Sequence, residues 1–99
     1  MVQDQLRIYT IKPGEMDVWV EEWSRLIAPL RRETGFEILG AWTVPAQNQF
    51  VWIIRYRGPR TWQEANTEYY NAPKRKEIQP DPARHIAGQD TFLLSPLPE

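Results

Sequence analysis

Leu6-Arg7-Ile8-Tyr9-Thr10-Ile11-Lys12-Pro13-Gly14, followed by Glu15-Met16-Asp17-Val18-Trp19-Val20-Glu21-Glu22-Trp23, decides how this chain folds. The first seven residues are rich in β-branched and aromatic side chains and stop at Pro-Gly, as a strand closing in a turn does. Beyond the turn the period changes. Met16, Trp19, Val20, Trp23, Leu26, Ile27 and Leu30 recur at spacings of three and four, which places them on one helix face. Asp17, Glu21, Ser24, Arg25 and Arg32 take the other face. Acids at the start (Glu15, Asp17) and bases at the end (Arg31, Arg32) suit the helix dipole. Pro29 lies inside the pattern and has no N–H for the carbonyl of Arg25, so a kink is expected there. Gly35 ends the helix.

Working outward, residues 36–44 and 50–57 read as two strands joined by a hairpin loop, Pro45-Ala46-Gln47-Asn48. Thr61-Trp62-Gln63-Glu64 has the spacing of a capping box and opens a second helix, to about Asn71. Pro73 breaks it, residues 74–78 read as one more turn, and Pro80-Asp81-Pro82 as a stiff loop. Residues 91–94 supply the last strand. The order β-α-β-β-α-β is the α+β, ferredoxin-like arrangement: a four-stranded antiparallel sheet with both helices on one face. Residues 1–99 read as a single domain, with an extended tail over 95–99 set by Pro96 and Pro98.

Composition excludes several function classes. The chain has no cysteine, hence no disulfide, thiolate metal site or Cys nucleophile. Lys plus Arg is 12 against 13 for Asp plus Glu, too even for a nucleic-acid or polybasic membrane surface. No apolar run approaches the ~20 residues that span a bilayer, and the N-terminus lacks the n- and h-regions of a signal peptide. A cytoplasmic protein is expected, and the excess of Arg over Lys suits a bacterial source. One histidine and scattered carboxylates make no metal-ligand set, and the five glycines are spread as turn and bulge residues, not as a phosphate loop.

Five Trp, four Tyr and three Phe are many rings for one small core. The strands also fail to alternate apolar with polar, as a sheet with one wet face should. Phe50, Trp52, Ile54 and Tyr56 line one side of the third strand, with Val51 and Ile53 on the other. Leu6 and Ile8 oppose Tyr9 and Ile11, and Ile38 and Trp42 oppose Leu39 and Ala41. Both sheet faces should therefore be buried, which a homodimer packed sheet against sheet achieves as an eight-stranded barrel. A monomer with an apolar partner-binding face is the alternative. The smaller Val51 and Ile53 suit a place beneath Trp19 and Trp23, which assigns Trp52, Ile54 and Tyr56 to a cavity on the far side. With the opposite parity, Arg55 joins that cavity and Trp52 leaves it.

The segment 6–14, the helix after it, Leu39-Gly40-Ala41-Trp42 and residues 50–56 resemble the NIPSNAP-like branch of the dimeric α/β-barrel superfamily, over nearly the whole chain. The resemblance implies the dimeric barrel. Where many relatives carry a His in the third strand, this chain has Trp52. The wider superfamily includes cofactor-independent monooxygenases, polyketide cyclases, isomerases and haem-degrading enzymes, and fold alone does not choose among them. Haem-degrading relatives place a functional residue near Asn66, which here is not a histidine; with no Cys and no second His, haem ligation is disfavoured.

The candidate site residues are few. His85, on the loop before the last strand, is either a general acid/base or a loop-stabilising or dimer contact. Arg7, an odd residue for a central strand, shares its side with Tyr9. It would polarise a carbonyl or phenolate, or form an inter-subunit ion pair, for instance with Glu37. Asn66 and Tyr70 share a face of the second helix. The expected function is a small-molecule-binding homodimer, an enzyme of cyclase, isomerase, dehydratase or monooxygenase type without metal or organic cofactor. Its substrate would be aromatic or polyketide-like, with Arg7, Tyr9 and His85 catalytic and Trp52, Ile54, Tyr56, Asn66 and Tyr70 holding the substrate. The alternative is a non-catalytic dimeric binding or assembly module. A cavity of at least about 300 Å³ reached by Arg7 and His85 separates the two.

Overall fold

The computed structural model describes residues 2–98. Its elements run β1 (Gln3–Ile11), α1 (Met16–Glu22), a π-helical turn (Trp23–Ile27), α2 (Ala28–Glu33), β2 (Phe36–Val44), β3 (Gln49–Tyr56), α3 (Trp62–Asn71), α4 (Pro73–Lys76) and β4 (Ile86–Leu94). Short 3₁₀ turns occupy Pro45–Gln47 and Pro82–His85. The strands form one antiparallel sheet in the order β2-β3-β1-β4, the ferredoxin-like arrangement expected. Residues 95–98 of the tail have no regular structure, and residues 1 and 99 of the expected domain lie outside the described residues.

Pro29 acts differently from the expected kink. The first helix continues through it by widening one turn: the N–H of Ala28 donates to the carbonyl of Trp23, five residues back, and Pro29 then sits in the first turn of α2. There the missing N–H costs no intrahelical bond. The π turn also advances the phase of the helix. Trp19, Trp23, Ile27 and Leu30 are buried as the sequence pattern implies, and Arg31 joins them at the end of the same stripe.

Alternation in β1 buries Gln5, Arg7, Tyr9 and Ile11, and in β3 it buries Phe50, Trp52, Ile54 and Tyr56. These residues lie beneath the helices. Trp23 meets Trp52 edge-on at 5.3 Å between ring centroids and Phe50 at 5.0 Å, and Trp19 meets Tyr9 and Phe50, both at 5.6 Å. The expected parity of β3 is therefore reversed: large rings pack on large rings, and Val51, Ile53 and Arg55 take the other face. Edge-to-face pairs of this kind each add about 0.5–1.5 kcal/mol beyond their buried area, which outweighs the size-matching argument. Arg55 answers Asp4, its cross-strand neighbour, through two hydrogen bonds of 2.8 and 2.9 Å on that second face.

A bulge in β2 between Ile38 and Gly40 changes the facing of that strand as well. Ile38 and Trp42, four residues apart, fall on opposite faces, because one extra residue switches every side chain after it. Trp42 turns away from the helices and lies across Gly40, where a Cβ would come within 2.5 Å of its ring. β4 is longer than the 91–94 expected. Ala87, Gly88, Gln89 and Asp90 have little strand propensity, yet their register against β1 is maintained from Asp4↔Leu94 to Thr10↔Gly88.

Candidate functional site

β1 carries Gln5, Arg7 and Tyr9 onto the helix-covered face of the sheet, and α3 brings Asn66 and Tyr70 over them from one helix face. The other four converge on the Arg7 guanidinium. Arg7 Nε donates to Gln5 Oε1 at 2.7 Å, Nη1 to the hydroxyls of Tyr9 (3.1 Å) and Tyr70 (3.0 Å), and Nη2 to Asn66 Oδ1 (3.1 Å). Because each phenolic oxygen accepts from Arg7, each keeps its own proton free to give elsewhere. Arg7 is buried among neutral partners and lies 5.6 Å from the Trp52 ring. Burial works against its charge, but Tyr9 and Tyr70 more than offset this and leave its pKa raised. Glu37 is elsewhere, paired with Arg57 on the surface.

The two adjacent tyrosines of α3 are driven apart. Burial raises the Tyr69 hydroxyl, only partly opposed by Arg31 and Arg75. Burial also opposes ionisation of Tyr70, yet Arg7, Arg31 and Arg75 together outweigh it and hold that hydroxyl below the ordinary tyrosine value. Arg31 lies over the Tyr69 ring at 3.7 Å and the Phe36 ring at 4.7 Å. Burial, followed by the charge of Arg7, pulls its pKa down to about 10.

These groups wall a cavity of about 680 Å³ between the sheet and the helices, of a size that takes small organic ligands (~300–1,000 Å³). Arg7, Tyr9, Trp52, Asn66 and Tyr70, all singled out from the sequence, line it. The cavity is thus beneath the helices of one chain rather than on the far face of the sheet, where the sequence argument put it. Three of the expected site residues lie outside the cavity lining. Ile54 and Tyr56 belong to the core along β3, beyond the cavity wall. His85 is also outside that wall: its Nδ1 lies 2.6 Å from Glu15 and its Nε2 3.2 Å from Glu22, with Glu22 held in addition by Arg84 at 2.8 Å. With both ring nitrogens against carboxylates of the α1 region, His85 ties the Pro82–His85 turn to that helix.

Arg31, Arg75, Tyr69 and Trp19 also line the cavity and were missed as site residues. Arg31 falls four residues after Ile27, on the buried stripe, so its spacing carried the signal that its place in the helix dipole obscured. Among the described residues no group of three or more His, Cys, Asp or Glu could hold a metal ion, and no helix is long and apolar enough to cross a membrane.

A four-stranded ferredoxin-like sheet with a polar-lined cavity under its helices defines the class: a small α+β domain with an internal cavity between sheet and helices. The NIPSNAP family model matches residues 4–99, and the chain belongs to that family. Among solved structures it is similar to an uncharacterised NIPSNAP domain protein from Burkholderia xenovorans, with 16% identity, TM-score 0.83, and coverage of 98% of this chain and 95% of that one. A NIPSNAP family protein from Agrobacterium tumefaciens shows 17% identity and TM-score 0.82 over 97% of this chain and 86% of that one. A candidate antibiotic biosynthesis monooxygenase from Nitrosomonas europaea shares the fold at 11% identity and TM-score 0.71, over 97% and 90% of the two chains. No curated protein matches the chain.

Proposed function

We propose that this protein binds a planar small molecule in the sheet–helix cavity and catalyses proton transfer on it, as an isomerase, cyclase or dehydratase that needs no metal or organic cofactor. The observation that carries this reading is the Arg7–Tyr70 contact at 3.0 Å inside a 680 Å³ cavity. Isomerisation, cyclisation and dehydration of carbonyl compounds share an enolate. A group whose pKa is brought down toward neutrality takes the carbon-bound proton as its anion when the enolate forms, and returns a proton to carbon as its acid when the enolate collapses. Tyr70 has that character. Arg7 positions and acidifies it, Asn66 and Gln5 hold Arg7, and Trp19 and Trp52 supply flat walls for a conjugated ring. Tyr9, held in the same way by Arg7, is the second proton-bearing group. The likeness to the Nitrosomonas europaea protein supports a fold suited to such chemistry, and oxygenation of the enolate is the step a monooxygenase of this fold would add.

Phenylpyruvate, which is aromatic and enolisable, is a direct probe. The protein should accelerate its enol-to-keto conversion: the carbon gains the proton that Tyr70 gives, and the enol oxygen releases one to water. Tyr70→Phe should lower the rate by about 10²–10⁴, the range for a lost general acid, with the melting temperature unchanged. The wild-type rate should fall as pH rises through the lowered Tyr70 pKa, since the donor must be protonated. Binding with no acceleration would return the non-catalytic module.

We propose further that the working unit is a cytoplasmic homodimer joined through the uncovered sheet face. Trp42 and Phe92 are about half exposed there, beside Leu6, Ile8, Val51 and Ile53. An apolar sheet face of this kind calls for a partner.

A further inference from the structure

Resting on the pocket reading above, we infer that the ligand is an organic anion, a carboxylate conjugated to a flat ring, and that Arg31 takes its charge. Four cationic side chains, Arg7, Arg31, Arg75 and Lys76, line the cavity against a single carboxylate, Asp81. That carboxylate is already engaged by Arg75 Nη2 at 2.9 Å and by the N–H of Ala83 at 2.9 Å. Arg7 has its four neutral acceptors. Arg31 is different: it is 1% exposed, and its Nε and Nη1 reach no acceptor.

Stacking on Tyr69 and Phe36 explains where the plane of Arg31 lies and leaves the N–H edge unexplained. A buried guanidinium without an acceptor is costly, so a site that retains one is built for an incoming acceptor. The other unpartnered polar atoms on the cavity wall are of the same kind. Trp19 Nε1, Trp52 Nε1 and Arg75 Nε can only donate, and the Tyr69 hydroxyl alone can also accept. The complement of such a wall is a molecule rich in acceptors and poor in donors. Indole and tyrosine faces around it favour a conjugated ring bearing that charge over a bare inorganic ion.

The test is calorimetric titration of the wild-type protein with 2-naphthoate and with 2-naphthamide, which differ in charge and not in shape, with inorganic phosphate as a ring-free anion. Naphthoate should bind at least about tenfold more tightly than naphthamide, the least a charge-assisted hydrogen bond contributes, and more tightly than phosphate. Arg31→Met, which keeps the stem and the stack, should lose that advantage while naphthamide affinity stays as it was. Its melting temperature should not fall, which separates lost binding from lost folding, and Arg31→Lys should recover part of the affinity for naphthoate. Equal binding of acid and amide, or wild-type affinity for naphthoate in Arg31→Met, would overturn the anion assignment and leave the pocket reading intact. Failure of acid and amide alike to bind the wild type would overturn both.

Discussion

His85 shows how far a residue's surroundings depend on neighbours that are distant in sequence. A lone histidine before a strand suggests proton transfer, but Glu15 and Glu22 occupy both ring nitrogens, and neither carboxylate is near in sequence. The expected outcome for His85→Ala is a loss of about 1–3 kcal/mol in stability, because two hydrogen-bonded carboxylates lose a buried partner. Phenylpyruvate turnover at a temperature where the variant is folded should be unchanged; denaturant titration and the same assay separate the two effects. Which pair meets which needs the tertiary fold, but Arg7 with Tyr9, and Asn66 with Tyr70, were legible as same-side pairs because strand alternation and the i, i+4 rule place side chains without tertiary information. Arg31 was not, since a base in the last turn of a helix is usually a solvated partner of the dipole.

At the scale of elements, propensity located every strand and both main helices, and it missed two single-residue adjustments. The bulge in β2 and the π turn before Pro29 each insert one residue into a regular pattern. In β2, alternation read across the bulge is right before it and wrong after it, so Trp42 changes face. In the helix the spacing carries through the π turn, with Ile27, Leu30 and Arg31 all buried. The capping box of α3 was legible in full: Thr61 Oγ1 accepts from Glu64 N at 3.1 Å, and Thr61 N donates to Glu64 Oε1 at 3.0 Å. Because α3 holds both Asn66 and Tyr70, its first turn anchors half of the site. Thr61→Ala should cost about 1 kcal/mol, measured by thermal unfolding. The phenylpyruvate rate should fall only modestly, since Arg7 still holds Tyr70.

At the scale of the whole molecule, the excess of aromatic rings has two destinations. Tyr9, Trp19, Trp23, Phe50 and Trp52 form one continuous cluster under the helices, so a single chain buries more of them than its length suggests. Trp42 and Phe92 remain on the uncovered face and carry the argument for a dimer. Sedimentation at micromolar concentration should report about twice the 11.7 kDa of one chain, and Trp42→Asp should shift the protein to the monomer. A wild-type monomer would remove the dimer from the account. Ligand location is a separate question, because the far face of the sheet and the cavity beneath the helices each carry tryptophan, Trp42 on the one and Trp19 and Trp52 in the other. The five indole N–H groups report on it directly in a ¹H–¹⁵N spectrum. On titration with phenylpyruvate, the resonances of Trp19 and Trp52, which line the cavity, should move with saturation, while that of Trp42 stays in place. Movement of Trp42 with Trp19 and Trp52 unchanged would contradict the site.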